Sequence, residues 1–304
     1  MDDPKNDRTA EQSTPRSSTH HACHDVKNFL IHLRLPYQLT LAPFMVWGAA
    51  LAKAPVSMRF AVGFAVLHIC FYGGTTAYNS HYDRDQGPVG GLAKPPPPGP
   101  WLLPGSLALQ GLGLAIAAWV GWRFFAVCLV YGVLGVLYSN PRTRWKGKPL
   151  LSWAAVMFGQ GVLGSAAGVV IDSDARVSPH VVWGLFAAAA LVGALYPLTQ
   201  LFQTEEDRAR GDRTAAMMLG RRGTCTAAIV LSALGAACAA ASAHAAGRAV
   251  DAWLLATAVV PMALGALWVC ARADASTQYR RISRFQIGAG ASFGVYAVLR
   301  LWHT

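Results

Sequence analysis

Acidic and amide residues gather in two segments of this 304-residue chain, each placed directly after a long apolar run. The first segment reads Asn79-Ser-His-Tyr-Asp-Arg-Asp85, and the second holds Gln203, Glu205, Glu206, Asp207 and Asp212. Residues four apart share one face of a helix, as do Asn79 and Asp83, and Gln203 and Asp207, with Glu206 three residues from Gln203. If both helices continue past the membrane surface, each presents a stack of oxygen ligands. Such ligands suit Mg²⁺, which proteins hold through one or two carboxylates together with substrate phosphates. The pattern therefore predicts a site for Mg²⁺ and a diphosphate.

Basic residues that can bind the phosphate oxygens left uncovered by the metal lie in neighbouring segments. Arg144 and Lys146 belong to a basic stretch between two apolar runs, and Arg213 follows the second acidic segment. Guanidinium and ammonium groups form short, strong hydrogen bonds with phosphate. Lys94 precedes the proline run 95–98 in a segment that we expect to close over the substrate. These four residues are the candidate diphosphate contacts.

The elements that position these residues are expected to be membrane-spanning helices. Hydrophobic residues make up 54% of the chain and charged residues 13%, with a mean hydropathy of +0.34. That composition argues against a soluble enzyme, for which about 25% charged residues is usual. A helix crosses the bilayer with about 20 apolar residues. The runs of this kind predict an all-α polytopic protein with about nine transmembrane helices around a central cavity, at 35–52, 60–78, 102–122, 124–138, 150–171, 181–202, 225–246, 252–271 and 285–299.

The distribution of positive charge supports nine spans with the N-terminus and the acidic loops in the cytoplasm. With that orientation, 20 of the 26 Lys and Arg residues fall in cytoplasmic segments, as the positive-inside rule requires. The net charge of +11 is thus explained by topology, and no nucleic-acid partner is expected. Residues 1–30 are polar and are expected to form a disordered tail, whereas residues 31–304 form the nine-helix domain.

Four stretches together resemble the UbiA superfamily of intramembrane prenyltransferases. That family carries an NDxxDxxxD motif after helix 2 and a DxxxD motif after helix 6. Here Asn79 and Asp83 match two positions of the first motif, while Ser80 and Gly87 replace two of its Asp residues. Gln203 and Asp207 match the second motif, with the neutral Gln203 in place of the first Asp. The stretch 138–146 and the segment Gly211-Asp-Arg-Thr-Ala-Ala-Met-Met-Leu-Gly220 also fit the family pattern.

The resemblance implies a Mg²⁺-dependent enzyme that ionises a prenyl diphosphate and transfers the isoprenyl group to an aromatic or quinone-precursor acceptor within the lipid bilayer. It implies that Asp83 and Asp207 are catalytic and that they hold the metal with Glu206, while Asn79 and Gln203 serve as neutral ligands. Asp85, Glu205 and Asp212 are further candidates beside the metal. Aromatic rings are expected to shield the carbocation by cation–π contact, with Tyr72, Tyr78, Trp153 and Phe158 as candidates. Two alternatives stay open at this point: a terpene cyclase of the same family, which needs no acceptor, and a transporter.

Overall fold

The computed structural model describes residues 18–172 and 178–303. Within these ranges the regular secondary structure is helical, apart from one isolated β-bridge between Val89 and Leu92. The helices are α1 (Ser18–His32), α2 (Ala42–Ala52), α3 (Met58–Asp83), α4 (Leu102–Val120), α5 (Trp122–Ser139), α6 (Pro149–Val170), α7 (Pro179–Thr199), α8 (Thr204–Ala209), α9 (Ala215–Ala245), α10 (Ala249–Cys270) and α11 (Ala275–Trp302). Short helical turns cover Leu35–Gln38, Leu39–Leu41 and Trp145–Gly147.

Seven helices in the described part of the chain are long and apolar enough to cross a membrane: α3, α4, α5, α6, α7, α9 and α10. The other two predicted spans correspond to shorter or more polar helices. Helix α2 has 11 residues, and the 28-residue α11 carries Arg280, Arg281 and Arg284 in its first half. The all-α membrane fold is confirmed, whereas the count of nine and the cytoplasmic orientation stay predictions.

The first part of the chain differs from the expected tail. Residues 18–32 form α1, and residues 1–17 lie outside the described part of the chain. The last turns of α1 are held because the Asn28 amide donates to the carbonyl of Pro97 at 2.9 Å and Phe29 packs beside the buried Leu33 and Leu102. The sequence shows the polarity of this segment, but not these partners.

Small residues allow the central helices to approach closely. Gly48 of α2 faces the backbone carbonyl of Ser165 in α6, and Gly168 of α6 faces the carbonyl of Met45, so that neither position has room for a Cβ atom. Such contacts drive helix association in membranes. Lipid tails are as apolar as the side chains, so the hydrophobic effect does not hold the helices together, and close van der Waals packing does so instead. The two contacts fix α2 and α6, which both contribute residues to the central cavity.

Two of the central helices contain π-helical segments, Val66–Gly73 in α3 and Met157–Leu163 in α6. Such segments are rare and occur often at functional sites. The first brings Tyr72 and the second brings Gly159 and Gln160 to the wall of the same cavity.

Candidate active site

The first acidic segment lies on the last turn of α3 and on the loop that follows. Helix α3 runs without a break to Asp83, as the spacing predicts, and ends because Arg84 adopts a left-handed conformation with φ 51°. The Asp83 carboxylate forms an ion pair with the Nζ of Lys146, and both side chains are buried. One turn earlier on the same helix, Asn79 lines the central cavity.

The second segment is not a continuation of α7, in contrast to the sequence expectation. Pro197 removes a backbone donor near the end of α7, and the helix ends at Thr199. A turn then leads to Gln203, which caps the separate six-residue helix α8. The expected spacing survives within α8, because the Asp207 N–H donates to the Gln203 carbonyl at 2.9 Å.

Arg210 joins the two acidic segments. Its Nη1 lies 2.5 Å from Asp85 Oδ1, and its Nη2 lies 2.6 Å from Asp207 Oδ1. Glu206 and Asp212 are more distant, with carboxylate oxygens 3.7 Å and 3.8 Å from the guanidinium nitrogens. Four carboxylates from two loops therefore surround one arginine, which the sequence analysis had assigned only to membrane topology.

Glu206 and Glu205 have different environments, although they are neighbours in α8. The Glu206 carboxylate accepts a hydrogen bond from the backbone N–H of Gln86 at 2.8 Å, and the close approach of this carboxylate to Gly87 leaves little room for a Cβ there. Glu205 is exposed. The structure therefore places Glu206 against the first acidic loop and Glu205 on the outside.

A third loop, between α5 and α6, contributes two of the predicted cations. Arg144 donates from Nε and Nη2 to the two carboxylate oxygens of Asp212, at 2.7 and 2.8 Å. Lys146, two residues later, reaches Asp83. The bidentate geometry fixes the direction of the arginine, so the loop is tied to both acidic segments.

Arg34 is a further cation of the site that sequence reasoning missed. It lies before the helical turn Leu35–Gln38 in a left-handed conformation with φ 52°, and its Nη2 donates to the Ser80 hydroxyl at 2.7 Å. The same nitrogen is 4.0 Å from Asp85. Ser80 stands where the family pattern has an Asp, so Arg34 meets a neutral partner there. A left-handed conformation is uncommon for a residue other than glycine, and the sequence gives no sign of it at Arg34.

Two other predicted contacts do not join the network. Lys94 and Arg213 are both exposed, and neither takes part in the ion pairs formed among the described residues. The backbone N–H of Arg213 donates to the carbonyl of Gly147 at 3.2 Å, which leaves its side chain facing outward. Their roles as diphosphate contacts stay predictions.

Burial shifts the pKa of two groups in the network. Burial lowers the pKa of Lys146 to about 8, although the nearby Asp212 opposes that change. Burial also raises the pKa of Asp207, while its hydrogen bond from Arg210 favours the charged form. Desolvation disfavours a charged group of either sign, so both shifts reflect the enclosure of the site.

Below this network lies a cavity of about 890 Å³. Its polar end carries Asn79, Ser139 and Thr199, and its walls are mostly apolar. Of the four aromatic residues expected there, Tyr72 lines the cavity, whereas Tyr78, Trp153 and Phe158 are not among its lining residues. The sequence analysis missed the other tyrosines of its wall, which are Tyr37, Tyr131, Tyr138, Tyr196 and Tyr296.

The hydroxyl groups of Tyr138 and Tyr196 are 2.8 Å apart. This contact joins α5 and α7 near the polar end of the cavity. The cavity thus combines an apolar, aromatic interior with a polar end. The charged network, called the charged rim below, begins one helical turn beyond that end, because Asp83 follows Asn79 by four residues on the same helix.

Within the described ranges, no three His, Cys, Asp or Glu side chains are arranged to hold a metal ion. The reason is visible in the ion pairs: Asp83 faces Lys146, while Asp85 and Asp207 face Arg210. The carboxylate donors that Mg²⁺ prefers are present on two adjoining loops, but protein cations neutralise them. Their donor chemistry fits a Mg²⁺ ion that diphosphate oxygens complete.

Comparisons with known proteins identify the fold. A UbiA homolog from Archaeoglobus fulgidus, bound to DMAPP and Mg²⁺, aligns with a TM-score of 0.66 and 22% identity over 88% of this chain and 99% of that one. A UbiA homolog from Aeropyrum pernix gives 0.59 and 20% over 84% and 97%. A digeranylgeranylglyceryl phosphate synthase structure gives 0.61 and 14% over 90% and 97%. No curated protein sequence matches the chain.

The sequence profile of the UbiA prenyltransferase family matches residues 41–288. This range begins at the last residue of the turn before α2 and ends within α11, so it includes both acidic segments, the basic loop and most of the residues that line the cavity. The chain therefore belongs to the UbiA prenyltransferase family.

Proposed function

We propose that the protein transfers an isoprenyl group from a prenyl diphosphate to an aromatic or quinone-precursor acceptor, with Mg²⁺ as cofactor. The observation that carries this proposal is that the charged network adjoins the polar end of a largely apolar cavity: Asn79 lines the cavity, and Asp83 of the network follows one turn later on the same helix. A prenyl diphosphate likewise consists of a charged head joined to an apolar chain. Related structures contain DMAPP or GPP together with Mg²⁺, which supports binding of the diphosphate head and Mg²⁺ at the charged network and of the isoprenyl chain in the cavity.

The diphosphate head would bind among the cations of the rim. Arg144, Lys146 and Arg210 come from two different loops and lie within one ion-pair network. Their N–H groups pair with carboxylates in the structure, and phosphate oxygens are equally good acceptors. Arg34 is close enough to Asp85 to take part. These residues would hold the leaving diphosphate and stabilise the negative charge that develops on it as the allylic C–O bond breaks.

Asp83, Asp207 and Glu206 would hold the metal, with Asn79 and Gln203 as neutral oxygen ligands. Mg²⁺, when bound, supplies positive charge that neutralises the diphosphate as it leaves. The chain's own part is to exchange partners: Lys146 and Arg210 release the carboxylates and turn to the phosphate oxygens. Asp85, Glu205 and Asp212 complete the set of acidic candidates, of which Glu205 is the most exposed.

The isoprenyl chain would occupy the cavity below the rim. Its walls would exclude water from the allylic cation, and Tyr72 and Tyr131, whose ring centroids are 5.1 Å apart, are among the residues that line it. Aromatic faces attract cations electrostatically. Attack by an aromatic carbon of the acceptor on the cation, followed by loss of the ring proton, would complete the transfer.

The test is a product analysis with detergent-purified protein. Geranyl, farnesyl and geranylgeranyl diphosphate are each incubated with Mg²⁺, with and without phenolic acids and naphthoates, and the products are identified by mass spectrometry. We expect an adduct that requires both donor and acceptor, and whose formation stops in EDTA and resumes with Mg²⁺. A terpene hydrocarbon or alcohol formed without acceptor would make the protein a cyclase instead. The absence of diphosphate release from every donor would reject the proposal and return attention to a transporter.

A further inference from the structure

We propose that Arg284 binds the carboxylate of the acceptor, so that the protein uses aromatic acids in preference to their neutral analogues. This inference rests on the proposed function, because it assigns the cavity to the reaction between donor and acceptor. It concerns the chemical class of the acceptor, which the charged rim does not specify.

Arg284 is the only charged residue among the described residues that line the cavity. It begins the stretch of α11 that lines the cavity, and the ring of the next residue, Phe285, packs against Gly265 of α10. Arg284 is exposed. A charged group in a membrane-spanning fold is costly unless it is solvated or paired, and such groups commonly mark the path of a substrate. The position of Arg284 therefore suggests a ligand with a negative charge.

The charge of Arg284 has no partner among the described residues. Its side chain takes part in none of the ion pairs or hydrogen bonds that these residues form. Two neighbouring arginines of α11 differ, because Arg280 donates to the Thr277 hydroxyl at 2.9 Å and Arg281 donates to the carbonyl of Ala271 at 3.1 Å. The cations of the charged rim are also paired. Arg284 is therefore available to a group that the described chain does not supply.

The cavity is open on the side where Arg284 lies. Exposed residues of α10 and α11 line it there, namely Leu254, Thr257, Ala258, Pro261 and Gly288. Gly288 follows Arg284 by four residues, so the two share one face of α11. An acceptor in the lipid bilayer can thus reach the cavity past the Arg284 guanidinium, without crossing the charged rim.

Arg284 lies toward the end of the cavity that adjoins the charged rim. Gln286, two residues later, lies beside Tyr37. The Tyr37 ring packs against Gly90 and Gly91, in the loop that follows the first acidic segment. The reacting carbon of a prenyl diphosphate is bonded directly to the diphosphate, so it would lie next to the rim. An acceptor held by Arg284 would be kept at the same end of the cavity.

A carboxylate suits a single guanidinium, because the two groups form parallel hydrogen bonds and their charges cancel. The diphosphate carries more negative charge and would bind at the charged rim, where Arg144, Lys146 and Arg210 lie in one network. A lipid phosphate offers similar oxygen atoms and could reach Arg284 from the bilayer. The two sources differ in one respect: the effect of an acceptor carboxylate depends on the acceptor, whereas that of a lipid phosphate depends on the lipid.

The test variant is Arg284→Gln, and its matched control is Arg280→Gln. Arg280 is also exposed and lies one turn earlier on α11, but it is not among the residues that line the cavity. Because Arg284 has no partner among the described residues, Arg284→Gln should fold, with a Tm within about 1 °C of the wild-type value. Arg284→Lys keeps the charge and removes the fork of N–H donors.

The experiment measures KM for para-hydroxybenzoate and for a hydroxynaphthoate, each as the free acid and as the methyl ester, at a saturating concentration of the best donor. We expect the wild-type protein to prefer the acid by at least about tenfold in KM, the lower end for a hydrogen bond to a charged group. Arg284→Gln should raise KM for the acid by at least about tenfold and leave KM for the ester and for the donor unchanged. Arg284→Lys should restore part of the affinity for the acid, and Arg280→Gln should match the wild-type protein.

The lipid is tested by the same measurements in vesicles of phosphatidylcholine, with and without phosphatidylglycerol. A loss that affects the acid alone, in both kinds of vesicle, supports the inference. A loss that is equal for acid and ester and that changes with the phosphatidylglycerol content would assign Arg284 to lipid phosphate and overturn the inference.

The remaining outcomes separate this inference from the proposed function. Equal KM values for acid and ester in the wild-type protein, or an unchanged ratio in Arg284→Gln, would refute the role of Arg284, and the adducts formed would still support a prenyltransferase. A raised KM for the donor instead of the acid would assign Arg284 to the diphosphate and refute it as well. Absence of an adduct with every acceptor tested would overturn the proposed function and this inference together.

Discussion

Removal of the Arg210 side chain should destabilise the protein strongly in the absence of ligands. Arg210 makes short charge-assisted contacts with Asp85 and Asp207, at 2.5 and 2.6 Å, whose side chains are only 4% and 12% exposed. Arg210→Ala leaves Asp207 without its principal cation, and Asp85 with only Arg34 at 4.0 Å. Loss of one partner from a buried ion pair costs about 3–5 kcal/mol.

The expected change in melting temperature follows from that free energy. For a chain of this size, about 1 kcal/mol corresponds to about 2 °C in Tm, so Arg210→Ala should melt about 6–10 °C below the wild-type protein. Thermal denaturation in detergent, followed by intrinsic fluorescence, measures the difference. The matched control is Arg208→Ala: Arg208 is exposed and lies on the same short helix, so its removal should change Tm by about 1 °C or less.

Two further measurements connect this loss to the charge left behind. The double variant Asp85→Asn/Arg210→Ala should melt above Arg210→Ala, because it removes one of the orphaned carboxylates. Mg²⁺ should raise the Tm of Arg210→Ala more than that of the wild-type protein, since a cation that binds the folded state stabilises it by mass action. An Arg210→Ala protein that melts within about 2 °C of Arg208→Ala would refute the reasoning, because a change that small is typical of surface pairs.

Three other substitutions test the site and the fold. Asp83→Ala should lower kcat/KM for diphosphate release by at least about 100-fold, because it removes charge at the leaving group; near wild-type turnover would contradict the assignment. Glu206→Gln should reduce activity much more than Glu205→Gln in the same assay, since only Glu206 contacts the first acidic loop; the reverse order would mean that α8 is turned. Gly48→Ala should lower the free energy of unfolding by at least about 1–3 kcal/mol through overpacking, measured by denaturation in detergent. Gly111→Ala is the control, since no atom lies near its Cβ position, and an equal loss there would contradict the argument.

The helices that line the cavity could be predicted from the sequence because lipid leaves few alternatives. Every backbone group in the bilayer must be paired within its own segment, so an apolar run such as 124–138, which lines the cavity, is expected to form a helix. Boundaries were also close: α5 ends at Ser139, one residue after the predicted end. Where a helix is short or carries charge, as for α2 and α11, the helix is present but its crossing of the membrane stays a prediction.

The break between α7 and α8 shows a signal that was present but not used. Pro197 and the polar run after it indicate a helix end, yet the spacing of Gln203 and Asp207 suggested one continuous helix. The structure keeps the spacing and changes the element, since α8 is a new helix that begins after Gln203. The four-residue spacing of Gln203 and Asp207 therefore corresponds to one helical turn, as predicted. The orientation of these side chains depends on the turn between α7 and α8, which the spacing does not describe.

The partners of the charged residues could not be predicted because they come from segments distant in sequence. Arg210 and Asp85 are 125 residues apart, and Arg34 and Ser80 are 46 residues apart. Positive charge near the end of a membrane helix is explained equally well by topology, so Arg210 carried no separate signal. Only the tertiary arrangement shows that it lies between four carboxylates.

The pairing of these carboxylates has a physical reason that connects the structure with the proposed reaction. Asp83, Asp85, Asp207 and Asp212 have largely buried side chains, and buried charges without partners are costly. A site that binds a metal and a diphosphate must therefore neutralise its acids when both are absent. Arg210, Lys146 and Arg144 do so through contacts that phosphate oxygens can replace. If Mg²⁺ bound the carboxylates, the same cations would be free for the diphosphate, and both states would keep these buried charges paired. Such an exchange would explain why removal of Arg210 should harm the protein most in the absence of ligands and why added Mg²⁺ should offset part of that harm.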